Sequence, residues 1–324
     1  MGWPLALAWL LWAFAALPAQ RSDDVRHRAA GETLRLKGGA RVEFRTFPSS
    51  SLGHDQPYSI FIPPSYEREK SKRYPVVYFL HGLNNDHTSW TVDRYGRLHE
   101  KLEAMIRSGA VPGILMVHPK GDNSFYTNAV NGTGRYEDFL VKDLIRHIEK
   151  TFRTQGERTF RSIGGTSMGG YGALKLGMKY PHLFASVVGH SPIVFPQESP
   201  FEAMSNAKDS RFYGYFKGLF NAIYGDPIDR KHWAANNLLT LADDHRADFT
   251  KLRIYFDYGT ADRYNATIKL DEGCRKLHEL LEAHKVAHVF KVHAGEPHGW
   301  ELVSNHFKES VPFLCRTFGE TVGQ

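Results

Sequence analysis

The chain has 324 residues, of which 42% are hydrophobic, 13% are aromatic and 23% are charged, with a formal net charge of +6. This is enough apolar material for one large domain or two small ones, and it argues against a disordered chain or a repeat protein. The basic residues are scattered, with neither a basic stripe nor a recognisable nucleic-acid-binding module, so no nucleic-acid partner is expected.

The N-terminal segment, residues 1–19, is apolar and uncharged, ends in small residues and is followed by a polar run from Gln20. It is short for a membrane span and typical of a secretory signal peptide. We therefore predict cleavage after Ala19, a mature domain of residues 20–324, and a secreted or periplasmic protein without stable membrane insertion. An uncleaved N-terminal anchor is the alternative, because no Lys or Arg precedes the apolar run and Leu17 is a poor residue at its position.

Strand-like and helix-like segments alternate along most of the chain. Two early segments, 41–47 and 58–62, alternate polar and apolar residues, as antiparallel edge strands do. Continuous apolar runs then alternate with helical periodicity, which predicts an α/β fold with a mostly parallel central sheet and helices on both faces. The later predicted strands are 74–80, 113–117, 159–163, 184–188, 252–256 and 286–292. The predicted helices are 98–106, 136–152, 170–178, 268–284 and 300–318.

Residues 191–248 interrupt this alternation, because they contain no clear strand and concentrate aromatic side chains. We interpret the segment as a cap-like insertion of helices and loops over the active-site end of a single domain. An ordinary peripheral helical layer is the alternative.

The cysteines and histidines give no metal-binding pattern. The 17 histidines include no H-E-x-x-H pair and the two cysteines form no cluster, so no metal site is predicted. Cys274 and Cys315 both fall in predicted helices, and either one disulfide or two buried thiols is compatible with the sequence.

A serine in a glycine-rich turn carries the main chemical signal. Residues 165–169, Gly-Thr-Ser-Met-Gly, match G-x-S-x-G between a predicted strand and a predicted helix. On such a tight strand-to-helix turn, a Cβ two residues before or after the serine would collide with neighbouring backbone. The turn predicts that Ser167 is a nucleophile exposed at the N-terminus of a helix.

A serine hydroxyl needs a base and an orienting carboxylate, which in this arrangement follow in the order acid, then histidine. Asp262 and His298 lie just past two later predicted strand ends, on the same rim as Ser167. Asp257 and His293 are the rivals, but both sit closer to the strands, so we favour Asp262 and His298.

Acyl transfer also needs two donors for the oxyanion of the tetrahedral intermediate. We expect the backbone N–H groups of Met168, just after the nucleophile, and of Leu83, in the loop after an early strand. Gly82 allows close approach of that loop, and His81 is interpreted as structural rather than catalytic.

Three polar or aromatic residues near this rim are candidate substrate contacts. Asn123 and Tyr126 follow a predicted strand, where Ser124 is a further candidate, and Trp300 lies beside the candidate base. Ordinary loop packing is the alternative for each.

These motifs resemble the esterase family that contains feruloyl and acetyl-xylan esterases, S-formylglutathione hydrolases, tributyrin-type esterases and mycolyltransferases. The resemblance runs from about Arg41 to Phe318 and implies an α/β-hydrolase fold, a Ser167–Asp262–His298 triad and no cofactor. The segments that carry it are Tyr74–Gly82, Gly165–Ala173, Asp257–Asp262 and His298–Trp300.

The predicted function is therefore hydrolysis of a carboxylic ester through an acyl-enzyme intermediate. Export favours a small-molecule or polysaccharide ester, such as a feruloyl or acetyl ester, as the substrate. An acyltransferase of the mycolyltransferase type and a thioesterase resembling S-formylglutathione hydrolase are the alternatives, and a non-catalytic binding relative is the remaining class.

Overall fold

The computed structural model describes residues 28–204, 211–244, 249 and 251–319, and the predicted signal peptide lies outside them. Among the described residues, nine strands form one sheet. They are β1 (Thr33–Arg35), β2 (Arg41–Ser49), β3 (His54–Ile62), β4 (Val76–Leu80), β5 (Leu115–Pro119), β6 (Arg161–Thr166), β7 (Ser186–His190), β8 (Arg253–Gly259) and β9 (His288–His293).

The strand order in the sheet is β1-β2-β3-β5-β4-β6-β7-β8-β9. The pairs from β1 to β3 and the β3–β5 pair are antiparallel, whereas all pairs from β5 to β9 are parallel. Strand β2 alternates buried and more accessible residues, while β4 to β7 are buried throughout. A mostly parallel sheet with an antiparallel edge was predicted from these two hydropathy patterns and is confirmed.

Helices cover both faces of the sheet. They are α1 (Ser65–Arg68), α2 (Leu98–Arg107), α3 (136–151, with Phe139–Leu144 π-helical), α4 (Met168–Lys179), α5 (Arg211–Tyr224), α6 (Arg230–Ala234), α7 (Leu238–Asp244), α8 (Tyr264–Ile268), α9 (Leu270–Ala283) and α10 (Trp300–Cys315). Short 3₁₀ turns occupy Ser89–Thr91, Asp93–Tyr95, Arg158–Phe160 and Arg316–Gly319.

The core has two layers, one on each face of the sheet. On β4, Val76 and Tyr78 contact the layer formed with α3, α4, α5 and α9, whereas Val77 and Phe79 contact the layer formed with α2 and α10. This alternation is the period of two of a strand that is covered on both sides. Within the described residues, no helix is both long and apolar enough to span a bilayer.

The two cysteines belong to different layers of this core. Cys274 packs with the α9 layer and Cys315 with the α10 layer, and both are buried free thiols. Because the sheet lies between them, the disulfide that the sequence allowed does not form. Burial raises the pKa of the Cys315 thiol to about 12, so it stays protonated and unreactive.

Local sequence patterns missed two details of the fold. Strand β1 is only three residues long and, within the part of the chain that the structure describes, pairs with β2 alone, so its hydropathy pattern is too short to detect. The helix predicted over 268–284 is broken at Lys269, which has a φ of 53°.

Residues 191–244 contain α5, α6 and α7, and the division into a domain and a cap-like insertion stays a prediction.

Candidate active site

Ser167 lies on a sharp turn between β6 and α4. Its backbone has φ 57° and ψ −119°, a region that L-residues rarely adopt, and its N–H donates to the His190 carbonyl at 2.8 Å. A Cβ on Gly165 would lie 2.4 Å from the Gly169 oxygen, and a Cβ on Gly169 would lie 2.2 Å from the Leu80 oxygen. Both flanking glycines are therefore required, and the turn predicted from the sequence has the expected geometry.

The side chains of His298 and Asp262 form a hydrogen-bonded pair at the carboxyl ends of β9 and β8. His298 Nδ1 lies 2.6 Å from Asp262 Oδ2, and both side chains are buried. The other carboxylate oxygen of Asp262 accepts the Tyr264 N–H at 2.9 Å, and the Tyr264 ring packs edge-on against the imidazole. These contacts fix the imidazole so that Nδ1, and not Nε2, faces the carboxylate.

The rival acid and base also pair, but with each other and away from Ser167. His293 Nε2 lies 3.2 Å from Asp257 Oδ2, and the Asp257 carboxylate also contacts His190 Nδ1 and the Tyr255 hydroxyl, each at 3.0 Å. Burial alone would raise the pKa of Asp257, but His190 and His293 hold it well below its usual value. This buried carboxylate joins β7, β8 and β9, and neither rival lines the cleft that contains Ser167.

The predicted oxyanion loop lies directly against the serine. A Cβ on Gly82 would be 3.3 Å from Ser167 Cβ, and Leu83 lines the same cleft. Met168 is the first residue of α4, so its N–H has no acceptor within the helix. The two residues that carry the predicted donors, Leu83 and Met168, therefore lie beside Ser167.

His81 holds this loop from behind. Its Nε2 accepts the Gly121 N–H at 2.8 Å, so its Nδ1 carries the proton and donates to the Gly82 carbonyl at 2.8 Å. Burial lowers the pKa of His81, which keeps the ring neutral. Because the Gly82 carbonyl and the Leu83 N–H share one peptide plane, His81 orients the predicted donor and supports the structural role expected for it.

Ser167 and His298 open into one cleft of about 460 Å³. Its wall is rich in aromatic rings and contains the side chain of Arg263. The lining residues are Gly82, Leu83, Asn84, Asn85, Tyr95, Thr166, Ser167, Phe212, Tyr215, Phe216, Arg263, Tyr264, His298, Gly299 and Trp300.

The three predicted substrate contacts have different positions. Trp300 lines the cleft, and its Nε1 donates to Asn85 Oδ1 at 2.7 Å. Asn123 accepts the Asn84 N–H at 2.8 Å and donates to the Tyr215 hydroxyl at 2.9 Å, so it braces two lining residues.

Tyr126 lies behind the cleft wall instead of in it. It is fully buried, and its hydroxyl donates to the His81 carbonyl at 3.1 Å. The positive φ values of Phe125 and Tyr126 turn the loop inward, which the sequence did not indicate. Tyr126 is therefore corrected from a contact residue to a support of the oxyanion loop. Ser124 is also buried, and its hydroxyl donates to the Gly121 carbonyl.

Several lining residues were not assigned to the site from the sequence. Arg263 and Tyr264 directly follow Asp262, so their position in the chain could have indicated them. Phe212, Tyr215 and Phe216 come from α5 within the aromatic segment 191–248, where only their concentration was visible.

Comparisons with known proteins identify the family of the chain and relatives of similar sequence or fold. The Esterase family model matches residues 49–314. An esterase of Mycobacterium tuberculosis is 29% identical over 298 residues, covering 82% of this chain and 60% of the relative, so the chain spans about three fifths of that protein's length. S-formylglutathione hydrolase of Arabidopsis thaliana is 24% identical over 86% of this chain and 94% of its own.

A solved ferulic acid esterase structure superposes with a TM-score of 0.69 at 25% identity, covering 86% of this chain and 99% of the other. The α/β-hydrolase fold predicted from the sequence is thereby confirmed.

Proposed function

This chain belongs to the Esterase family, and we propose that it is a serine carboxylic ester hydrolase that works through an acyl-enzyme. One observation carries the proposal: His298, which lies 2.6 Å from the buried Asp262 carboxylate, lines the same cleft as Ser167 on its strained turn. A histidine held by a carboxylate beside a serine on such a turn is the arrangement that activates a hydroxyl nucleophile.

In the acylation half-reaction, His298 Nε2 takes the Ser167 proton while Ser167 Oγ attacks the ester carbonyl carbon. The carbonyl oxygen becomes an oxyanion, and the N–H groups of Leu83 and Met168 donate to it. When the intermediate collapses, His298 gives the proton to the departing alcohol and the acyl group remains on Ser167. Asp262 stays ionised and stabilises the imidazolium.

Deacylation repeats these steps with water in place of the alcohol. His298 takes a proton from water, hydroxide adds to the acyl carbon, and Ser167 leaves with the proton from His298. The products are the free acid and the regenerated hydroxyl. If a sugar hydroxyl took the place of water, the same cycle would make the protein an acyltransferase.

The cleft supports an aromatic or other bulky ester in preference to a formyl group. Its size is within the range of sites for drug-sized ligands, and a formyl or acetyl group alone would leave most of it unfilled. Rings from α5 and the rings of Tyr95, Tyr264 and Trp300 offer flat apolar surfaces of the kind that bind aromatic acids. We therefore propose feruloyl esters of polysaccharide as the leading substrate class, with acetyl esters second.

The decisive experiment compares two matched pairs of variants on feruloyl, acetyl and S-formylglutathione substrates. His298→Gln and Asp262→Asn should each lower kcat about 10⁴-fold, whereas His293→Gln and Asp257→Asn should keep kcat within tenfold wherever the protein folds. Ser167→Ala should abolish labelling by a fluorophosphonate, and the label should map to Ser167 in the wild type. Labelling of another serine, or full activity of His298→Gln, would contradict the proposed triad.

We also propose that the protein is exported, on the basis of residues 1–19. Fractionation of expressing cells, followed by N-terminal sequencing of the protein, should give a mature chain that begins at Gln20. A chain that retains Met1 in the membrane fraction would favour the N-terminal anchor instead.

A further inference from the structure

Two histidines and a glutamate meet where α9 and the start of β9 come together. His278 and Glu282 are one helical turn apart on α9, and His288 is the first residue of β9. One potential ligand atom from each of the three side chains lies within 4.8 Å of the other two. The two rings are closest, with His278 Nδ1 at 2.7 Å from His288 Nε2.

The protonation of both rings follows from their hydrogen bonds. His288 Nδ1 lies 2.8 Å from the Val286 carbonyl, which only accepts, so the proton of that ring is on Nδ1. Its Nε2 therefore carries a lone pair that accepts from His278 Nδ1. A carbonyl bonded to the far nitrogen of a histidine is the contact that orients metal-ligating imidazoles in proteins.

Aromatic neighbours hold both rings in place. The His278 ring stacks on Phe290 with 4.8 Å between centroids, and the His288 ring stacks on Phe256 with 5.9 Å between centroids. Both histidines are half-buried, whereas Glu282 is exposed and can turn toward them. Two rings are thus already oriented, and one carboxylate is within reach.

We propose that His278, Glu282 and His288 bind one divalent transition-metal ion, with Zn²⁺ as the best match. Two imidazole nitrogens, one carboxylate oxygen and a water make a common tetrahedral zinc set. Zn–N bonds of about 2.0–2.1 Å place the two nitrogens about 3.3 Å apart, so the rings separate by about 0.6 Å from their present contact. The proton on His278 Nδ1 moves through solvent to Nε2, and binding releases no net proton.

The spacing of these three ligands differs from that of the common metal-binding motifs. His278 and Glu282 are separated by three residues on a helix, but the third ligand comes from a strand that begins six residues later. Neither the H-E-x-x-H pattern nor a cysteine cluster includes a helical His and Glu four positions apart with a third ligand from a later strand.

The position of the three residues indicates a structural role for the ion. Ser167 lies at the carboxyl ends of the parallel strands. His288 begins β9 at the opposite, amino-terminal end, and the length of this six-residue strand separates it from the carboxyl end of β9 by about 17 Å. An ion there joins α9 to β9. It should therefore change the thermal stability of the protein and leave ester hydrolysis nearly unchanged.

Thermal unfolding and calorimetry on chelator-treated, dialysed protein test the proposal. One equivalent of Zn²⁺ should bind, and Zn²⁺ at about 100 times Kd should raise Tm by about 5 °C. Both effects should be lost in His278→Gln and in His288→Gln, with kcat retained in each. His284→Gln is the matched control, since His284 also faces a carboxylate, that of Asp243, and it should bind Zn²⁺ as the wild type does.

A measurement on the wild type alone tests the proposal even if the variants misfold. Zn²⁺ should protect His278 and His288, but not His284, from diethyl pyrocarbonate, as read by peptide mass spectrometry. Equal modification of His278 and His288 with and without Zn²⁺ would overturn the proposal. Unchanged stoichiometry in the double variant His278→Gln/His288→Gln would do the same.

Discussion

A methyl group added at Gly169 tests whether the serine turn and the oxyanion loop are held in contact. The Cβ of Gly169→Ala would lie 2.2 Å from the Leu80 oxygen and 2.7 Å from the His81 oxygen, both of them backbone atoms. Ordinary contact begins near 3.4 Å, so the two segments must move apart by about 1.2 Å. Leu80 and His81 lead directly into Gly82 and Leu83, so this movement displaces the predicted oxyanion donor from the nucleophile.

The size of the effect follows from that displacement. A shift of about 1 Å in a reacting group costs about 10²-fold in rate, or about 2.7 kcal/mol in the barrier. We expect Gly169→Ala to lower kcat/KM for p-nitrophenyl acetate about 100-fold. Overpacking of the turn should also lower the free energy of unfolding by about 1–3 kcal/mol.

Steady-state kinetics and urea unfolding measure the two effects separately. Gly218→Ala is the matched control, because Gly218 lies in α5 with no heavy atom near its added Cβ. It should keep full activity and gain about 0.5–1 kcal/mol of stability. If folded Gly169→Ala kept kcat/KM within threefold of the wild type, the coupling of the two segments would be refuted.

Three further predictions concern strain, acid stability and the cleft wall. Ser167→Gly should be about 1 kcal/mol more stable in urea than Ser167→Ala, because glycine relieves the positive φ; equal stabilities would argue against strain. Burial alone would raise the pKa of Glu137, but the positive charges of Lys175 and Lys179 hold that pKa at about 2, below its ordinary 4.5. Its stabilisation is thus complete above pH 4.5 and is lost as pH falls toward 2. Glu137→Gln should cost about 3 kcal/mol at pH 7 and flatten that acid dependence, and an unchanged slope would refute the pairing. Tyr215→Phe removes the hydroxyl contact to Asn84, so KM for a feruloyl ester should rise about fivefold with kcat retained; a change in kcat alone would count against it.

The sequence was informative wherever one local pattern determines one local structure. The apolar runs of the central strands reflect burial on both faces, and the glycines around Ser167 reflect a turn that admits no side chain. The preference for Asp262 and His298 over Asp257 and His293 rests on their positions past the strand ends, and His298 lines the cleft that lies there.

Hydropathy and motif patterns do not predict contacts between segments that are distant in the sequence. The inward turn of Tyr126 depends on two consecutive positive φ values, and nothing in its neighbours requires them. The pairing of His293 with Asp257 joins residues 36 positions apart, on adjacent strands. The meeting of His278 with His288 depends on how α9 packs beside the sheet, which hydropathy does not specify.

The order of strands in the sheet also constrains how a growing chain folds. Strand β4 lies between β5 and β6, so one of its edges has no partner until residues 161–166 have been synthesised. Its sequence, VVYFL, has high β-propensity and no charge, which makes an open edge prone to intermolecular pairing. Chains truncated before β6 should therefore aggregate, and so should nascent chains released from the ribosome before residues 161–166 are synthesised.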